Sequence, residues 1–188
     1  MKIFFDTEFT GLHKNTTLIS IGLISEDRRS FYAELTDYDK EQCDDWIKEN
    51  VIANLIITKL PSDKKYIPNY HIGTKDNIAV TLGNWFKQFE NVELVSDVCH
   101  YDMVLLIDLF GSALNLPTNV CPSCHDINQD IARYYNIDLQ TAFDKSREKI
   151  LWDNYKEHAV GGEKHNALHD AKVIRELYQI LNKINFDK

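Results

Sequence analysis

No stretch of this chain approaches the roughly 18 consecutive apolar residues of a membrane-spanning helix, which excludes a protein threaded through a bilayer on helices. The N-terminus has only a short apolar run before Asp6, without the apolar core and small-residue cleavage site of a secretory leader. A soluble, cytoplasmic protein is the expectation. Positive charge is in short supply as well: 21 Lys and Arg stand against 29 Asp and Glu, a formal net charge of −8. That balance argues against coating a nucleic acid through a broad basic surface, whose affinity comes from neutralising many phosphates. It leaves room for a site that grips one strand end, because clustered carboxylates look acidic only until their divalent ions are counted.

Cysteine is sparse, with four at positions 43, 99, 121 and 124. Cys121-Pro122-Ser123-Cys124-His125 matches both a redox dithiol and a haem-attachment pattern, but the exported context of one and the strand-then-helix context of the other are missing. No second C-x-x-C completes a zinc site. Reduced structural thiols are expected, with zinc held by Cys121, Cys124, His125 and one distant ligand as the alternative. Internal repeats, low-complexity tracts and linkers are also absent. The 188 residues, 44% of them hydrophobic, therefore read as one domain, 1–188, able to bury a sizeable core.

What is present is a succession of periodic segments. Lys2 to Glu8 reads as an apolar, aromatic-rich strand, Thr17 to Ser25 as a second and Ser30 to Leu35 as a third, with Glu26 to Arg29 as a polar turn; closely spaced strands of this kind make an antiparallel meander. Glu41 to Leu55 has Trp46, Ile47, Val51 and Leu55 at helical spacing and predicts a helix. Lys59 to Lys75, with Pro61, Pro68 and Gly73, is the longest irregular stretch and reads as a substrate lid, an oligomer contact or a tolerated insertion. Further helices are predicted over Asp76 to Phe89, Tyr101 to Phe110, Asp126 to Tyr135 and Ala167 to Ile184, with a strand over Val92 to Ser96. A meander followed by alternating helices and strands predicts an α/β fold with a mixed sheet.

Two acids close the first strand. Side chains alternate faces along a strand, so Asp6 and Glu8 point the same way and repel unless a cation lies between them. Asp-x-Glu alone is weak, since Asp37-Tyr38-Asp39 gives a similar pair and most acids are simply solvated. Asp102 follows the Val92 to Ser96 strand at the start of a helix, and Asp170 falls in the first turn of the last helix; the helix dipole alone favours an acid at either place. Aimed together at Asp6 and Glu8, they would make a four-carboxylate cleft suited to Mg²⁺ or Mn²⁺. His165 lies five residues before Asp170, and Gly161-Gly162 places it on a loop ahead of the helix, either as an ordinary loop histidine or as a proton acceptor near neutral pH.

Phe5-Asp6-Thr7-Glu8-Phe9-Thr10-Gly11-Leu12, Tyr101-Asp102 and His165-Asn166-Ala167-Leu168-His169-Asp170 resemble, in that order, the three motifs of the DEDD 3′-to-5′ exonuclease superfamily. The branch is the DEDDh one, whose third motif is H-x-A-x-x-D and which includes the polymerase proofreading subunit and ribonuclease T. The second motif departs from the usual pattern, with Asp97-Val98-Cys99-His100 leading into it, and Asp97 is either a substitute ligand or a loop residue. Trp46 to Val51 is similar to a helix of a smaller bacterial and phage group of exoribonucleases. The resemblance implies a ribonuclease-H-like fold, two divalent ions, Mg²⁺ or Mn²⁺, on Asp6, Glu8, Asp102 and Asp170, and His165 as the base. It implies release of nucleoside 5′-monophosphates from the 3′ end of single-stranded RNA or DNA, with RNA slightly ahead. Thr7, Phe9, Thr10 and Leu12 would receive the terminal nucleotide, Leu12 as a wedge; core packing is the alternative for Phe9 and Leu12. A homodimer is compatible with the reading, as are two other functions on this fold: a metal-dependent endonuclease and a catalytically silent nucleic-acid-binding module.

Overall fold

Lys2–Phe9 forms β1 in the interior of the sheet, and its sequence explains why it can sit there: Ile3, Phe4 and Phe5 are all fully buried, so both faces must be covered. The computed structural model describes residues 1–61, 67–155 and 162–186. β1 pairs antiparallel with β2 (Leu18–Ser25), and β2 antiparallel with β3 (Ser30–Leu35), which is the expected meander. On its other side β1 runs parallel to β5 (Val92–Ser96), followed by β6 (Val120–Asp126); β4 (Tyr70–Gly73) lies parallel to β3 at the opposite edge. The strand order is β4-β3-β2-β1-β5-β6. The mixed sheet flanked by helices is the architecture expected from the sequence.

Alternation along β1 sorts its side chains between two cores. Ile3 and Phe5 pack with Leu82 and Phe86 of α2 (Lys75–Phe86) and Leu106 of α3 (Cys99–Leu109). Phe4 faces the other way, against Ile131 of α4 (Ile127–Tyr135) and Ile174, Leu177 and Tyr178 of α7 (Ala167–Asn182). Each fully buried side chain of this size contributes about 1.5–3 kcal/mol relative to exposure. Asp6 and Glu8 continue the Phe4 face, so the stripe that is core at one end of β1 becomes acidic at the other.

Several expectations need correction. Glu41 to Leu55 is not one helix: Asp39 and Asp44 each cap a separate start with their side chains, leaving a 3-10 turn at Lys40–Gln42, α1 at Asp45–Asn50 and a second 3-10 turn at Ile52–Asn54. Ile47, Val51 and Leu55 do pack inward, on Ile19 and Cys43, but Trp46 is 53% exposed. The irregular stretch after Lys59 contains β4, while residues 62–66 of it lie outside the described ones. The C-x-x-C-H segment is β6, and α5 (Leu139–Phe143) and α6 (Arg147–Tyr155) fill a region given no elements from the sequence. Among the described residues no helix is long and apolar enough to cross a membrane.

Candidate active site

The site forms where β1 ends and the starts of α3 and α7 arrive. α7 can reach β1 because residue 22 of β2, opposite Asp6, is glycine. A Cβ there would lie 2.2 Å from the Leu168 nitrogen and 2.4 Å from the Ala167 carbonyl carbon, so the first turn of α7 rests directly on the strand. Asn166 caps that turn by accepting from the His169 N–H, and Ala167 beneath it is fully buried. This puts Asp170 over the face that carries Asp6 and Glu8.

Asp102 comes from the opposite side. Val98 adopts a left-handed conformation with φ 58°, unusual for a β-branched residue, and turns the chain sharply from β5 into α3. Asp102, in the first turn, is buried and held by three donors: the Thr7 N–H at 3.0 Å, the Thr7 hydroxyl at 2.5 Å and the Ser96 hydroxyl.

The four carboxylates feel one another strongly. Burial first, and then Asp102, Asp170, Glu8 and Asp97, hold Asp6 well above the usual carboxylate range. Burial and the charges of Asp170 and Asp102 push Glu8 up to about 8. Burial drives Asp102 up to about 7 against the opposing pull of Ser96 and Thr7. Asp170 is likewise raised to about 7, chiefly by burial, with the His165 backbone N–H and Lys164 acting against the rise. Among the described residues none of the four forms an ion pair with Lys or Arg. Oxygen donors crowded this way fit hard divalent cations such as Mg²⁺ or Mn²⁺.

His165 stands at the rim with φ 59°, ahead of α7 as the paired glycines suggested. Gly161 is outside the described residues, and Gly162, at φ 138°, packs against the His169 ring, where a Cβ would fall 2.6 Å from Nδ1. One ligand atom each of Glu8, His165 and Asp170 lies within 4.8 Å of the other two. Desolvation, and then Lys164, push the His165 imidazole below its ordinary pKa, with Glu148 opposing. Its loop is tied down by Asn54, which donates to the Lys164 carbonyl at 2.9 Å and accepts from the Asn166 amide at 2.9 Å. The edge of Trp46 meets the imidazole at a centroid distance of 5.0 Å.

Asp97 is occupied elsewhere. Arg147 pairs with both its oxygens at 2.7 and 2.8 Å, Asn128 donates to it at 2.9 Å, and Arg147 also donates to the carbonyls of Ala142, Phe143 and Lys145. This clamp forms one wall of a cleft of about 560 Å³ that Asp6, Lys164, His165 and Asp170 also line. Phe9 is half-buried, packed against the core that holds Ile3 and Phe5 and stacked on Tyr101 at 5.5 Å, so core packing accounts for part of its surface, whereas Leu12 is 76% exposed, which removes core packing as its explanation. Thr7 spends its hydroxyl on Asp102, and the buried Thr10 hydroxyl donates to Gln42 at 2.6 Å. The proposed zinc set of Cys121, Cys124 and His125 is not brought together: all four cysteines are free thiols, Cys121 is exposed, and His125 is bonded to Asp130. Ser96, Asn166, Arg147 and Lys164 were not singled out in the sequence. Two of the site's supports left a trace there: Gly22, as a glycine interrupting an apolar strand, and Asn166, as a capping residue type directly ahead of the predicted helix.

Residues 1–181 match the family described as the 3′-5′ exoribonuclease Rv2179c-like domain. The chain is 30% identical over 131 residues to the 3′-5′ exoribonuclease Rv2179c of Mycobacterium tuberculosis (strain ATCC 25618 / H37Rv), covering 69% of this chain and 73% of that protein. Its fold is similar to S. pombe Pop2p in the Mg²⁺- and Mn²⁺-bound form, with 17% identity and TM-score 0.58 over 99% of this chain and 84% of that one. It is also similar to the nuclease domain of 3′hExo, a DEDDh family member, bound to rAMP, with 14% identity and TM-score 0.60 over 97% and 91% of the two chains.

Proposed function

Because the chain belongs to the Rv2179c-like 3′-5′ exoribonuclease family, we propose that it removes nucleoside 5′-monophosphates one at a time from the 3′ end of single-stranded nucleic acid, RNA ahead of DNA. The 3′-5′ exoribonuclease activity is the family's property; its dependence on divalent metal and the roles of the residues are our own reading. The observation that carries it is the convergence of Asp6, Glu8, Asp102 and Asp170, from three separate elements, with His165 at their rim.

Asp6, Glu8, Asp102 and Asp170 would hold two Mg²⁺ or Mn²⁺ ions. When bound, these would activate water and stabilise the departing 3′ oxygen. His165 accepts the proton of the attacking water on an imidazole nitrogen, and its depressed pKa keeps that nitrogen free near neutral pH. Thr7 and Ser96 hold the Asp102 carboxylate in one orientation, so it needs no rearrangement to receive a cation. Lys164, loosely paired with Glu148 at 3.6 Å, can turn its charge to the substrate's phosphates at the cleft. Phe9, on its Tyr101 support, and the exposed Leu12 present apolar surface to the terminal base, which fits sequence-tolerant recognition. The Thr7 and Thr10 side chains would shape this pocket through their internal bonds, and main-chain groups nearby would meet the nucleotide. The same reading treats residues 1–188 as one catalytic domain acting in the cytoplasm, alone or as a homodimer.

The test is a time course on 5′-labelled single strands of matched RNA and DNA sequence with Mg²⁺ or Mn²⁺. A descending ladder that stops when the 3′ hydroxyl is blocked supports the proposal, and the RNA-to-DNA rate ratio reads the sugar preference. Internal cuts on 3′-blocked strands would mean an endonuclease. Binding without cleavage would mean a silent module.

A further inference from the structure

A second group of donor atoms lies at the start of α3, just ahead of Asp102, and shares no residue with the four carboxylates. Cys99 and His100 are the first two residues of α3, and Asp126 caps α4. The topology gathers them: Ser96 at the end of β5 is in register with Asp126 at the end of β6, so the turns leaving both strands arrive side by side. One ligand atom from each of Cys99, His100 and Asp126 lies within 4.8 Å of the other two. Asp126 is held in place, its Oδ1 accepting from the Asn128 N–H and Nδ2 at 2.9 Å each, while Oδ2 lies 3.3 Å from the Cys99 nitrogen. Among the described residues Asp126 forms no ion pair, although Asp97 nearby is paired by Arg147.

We propose that Cys99, His100 and Asp126 form a binding site for one thiophilic divalent cation, Zn²⁺ in preference to Mg²⁺ or Mn²⁺, distinct from the carboxylate cleft. Sulfur and imidazole donors select zinc over the hard cations that suit an all-oxygen site. Where the donors stand further apart than zinc bonds of about 2.0–2.3 Å allow, a small movement closes the gap. Exposed His100 can supply that movement on its side-chain torsions, and its exposure also gives the ion access. Three protein ligands leave a fourth, tetrahedral position to water. Asn128 serves as the outer partner that orients the carboxylate. Occupancy would tie the start of α3 to the start of α4 and so brace the Asp97-Val98 turn from which Asp102 is carried. The C-x-x-C-H segment borders the site: Cys99 Sγ lies 4.0 Å from the Cys124 carbonyl oxygen, and the Cys124 thiol lies against the Cys99 thiol.

The site is independent of the exonuclease reading and is tested without an activity assay. The whole purified chain is titrated with Co²⁺ while the thiolate-to-cobalt charge-transfer band and the visible bands of tetrahedral cobalt are followed. One equivalent should produce both, in the wild type and in an Asp6→Asn/Asp170→Asn variant whose cleft is disabled. Cys99→Ser should abolish the charge-transfer band. His100→Ala and Asp126→Asn, the latter keeping a good helix cap, should each weaken binding by about tenfold or more. Zn²⁺ should displace the cobalt and raise the Tm of the Asp6→Asn/Asp170→Asn variant, but not once Cys99→Ser is added to it. Absence of the band in the wild type would overturn the proposal, as would a band that survives Cys99→Ser and disappears in Cys121→Ser/Cys124→Ser.

Discussion

The two acidic helix starts that meet on β1 are held in different ways. Asp102 is buried at the start of α3 and fixed by bonds from Thr7 and Ser96, both inside the sheet. His165 and Asp170 sit at the start of α7, where the loop carrying the imidazole hangs from Asn54, a residue of the surface 3-10 turn, and from an edge contact with Trp46. The first corner is therefore preset by the core. The second is placed by peripheral bonds and by the contact of α7 with Gly22. A carboxylate that must orient a cation benefits from rigidity, whereas a base that must meet a water gains from a position adjustable at the rim.

This contrast can be broken at either corner. Asp102→Asn, or Asp6→Asn, removes a charge from the ligand set; turnover should fall below detection and Mn²⁺ binding by calorimetry should be largely lost, with retained wild-type turnover counting against the assignment. His165→Ala should instead lower kcat by about 10²- to 10⁴-fold while Mn²⁺ affinity stays nearly unchanged. An unaffected kcat would remove the imidazole from the mechanism. Gly22→Ala sets a methyl group against the backbone of α7, overpacking that costs about 1–3 kcal/mol or more. Both Mn²⁺ affinity and kcat should fall together, since the helix start moves as a unit; a loss of Tm with unchanged site properties would show that α7 can shift without the site.

Protonation and cation binding compete for the same carboxylates. Without metal, Glu8 is raised to about 8 and Asp102 and Asp170 to about 7, against 4.5 and 3.8 for the free groups. The folded state therefore binds protons that the unfolded chain releases. Stability from these groups is fully present below the unfolded values and is lost as pH rises through about 7 to 8. The cation needs the deprotonated ligands, so the rise in Tm caused by Mn²⁺ should be larger at about pH 8.5 than at about pH 6, measured by thermal melts in EDTA and in Mn²⁺. An equal rise at both would contradict the coupling. The smallest effect belongs to Asn54→Ala, which removes the side-chain bonds to the Lys164 and Asn50 carbonyls, each worth about 1 kcal/mol. It should lower kcat by less than about tenfold and leave Mn²⁺ affinity alone; weakened Mn²⁺ binding would show that the two corners are not separable.

The parts of the molecule legible in the sequence are those that depend on local periodicity. Asp6 and Glu8 share a face because strands alternate, and Ala171, Ile174, Leu177, Tyr178 and Leu181 read as the buried stripe of α7, as they are. β4 has only four residues, none of them fully buried, and β6 is an edge strand interrupted by Pro122, so neither carries an alternating signal. The break within 41–55 depends on which aspartates turn back on the backbone, and periodicity does not register that choice. The supports of the site are tertiary: Ser96 meets Asp102 six residues on, Cys99 meets Asp126 across 27, and Asp97 meets Arg147 across 50. Nothing in the spacing of those residues announces a contact. The C-x-x-C-H motif drew attention to Cys121 and Cys124, while the fold assembles its mixed donor set around Cys99.

The most direct measurement is a crystal structure of the protein soaked in Mn²⁺, with anomalous difference density collected at the manganese edge. The account predicts two peaks, each coordinated by carboxylate oxygens of Asp6, Glu8, Asp102 and Asp170, with His165 at the rim. Density that is absent from that cleft, or that lies elsewhere with the four carboxylates apart, would contradict it.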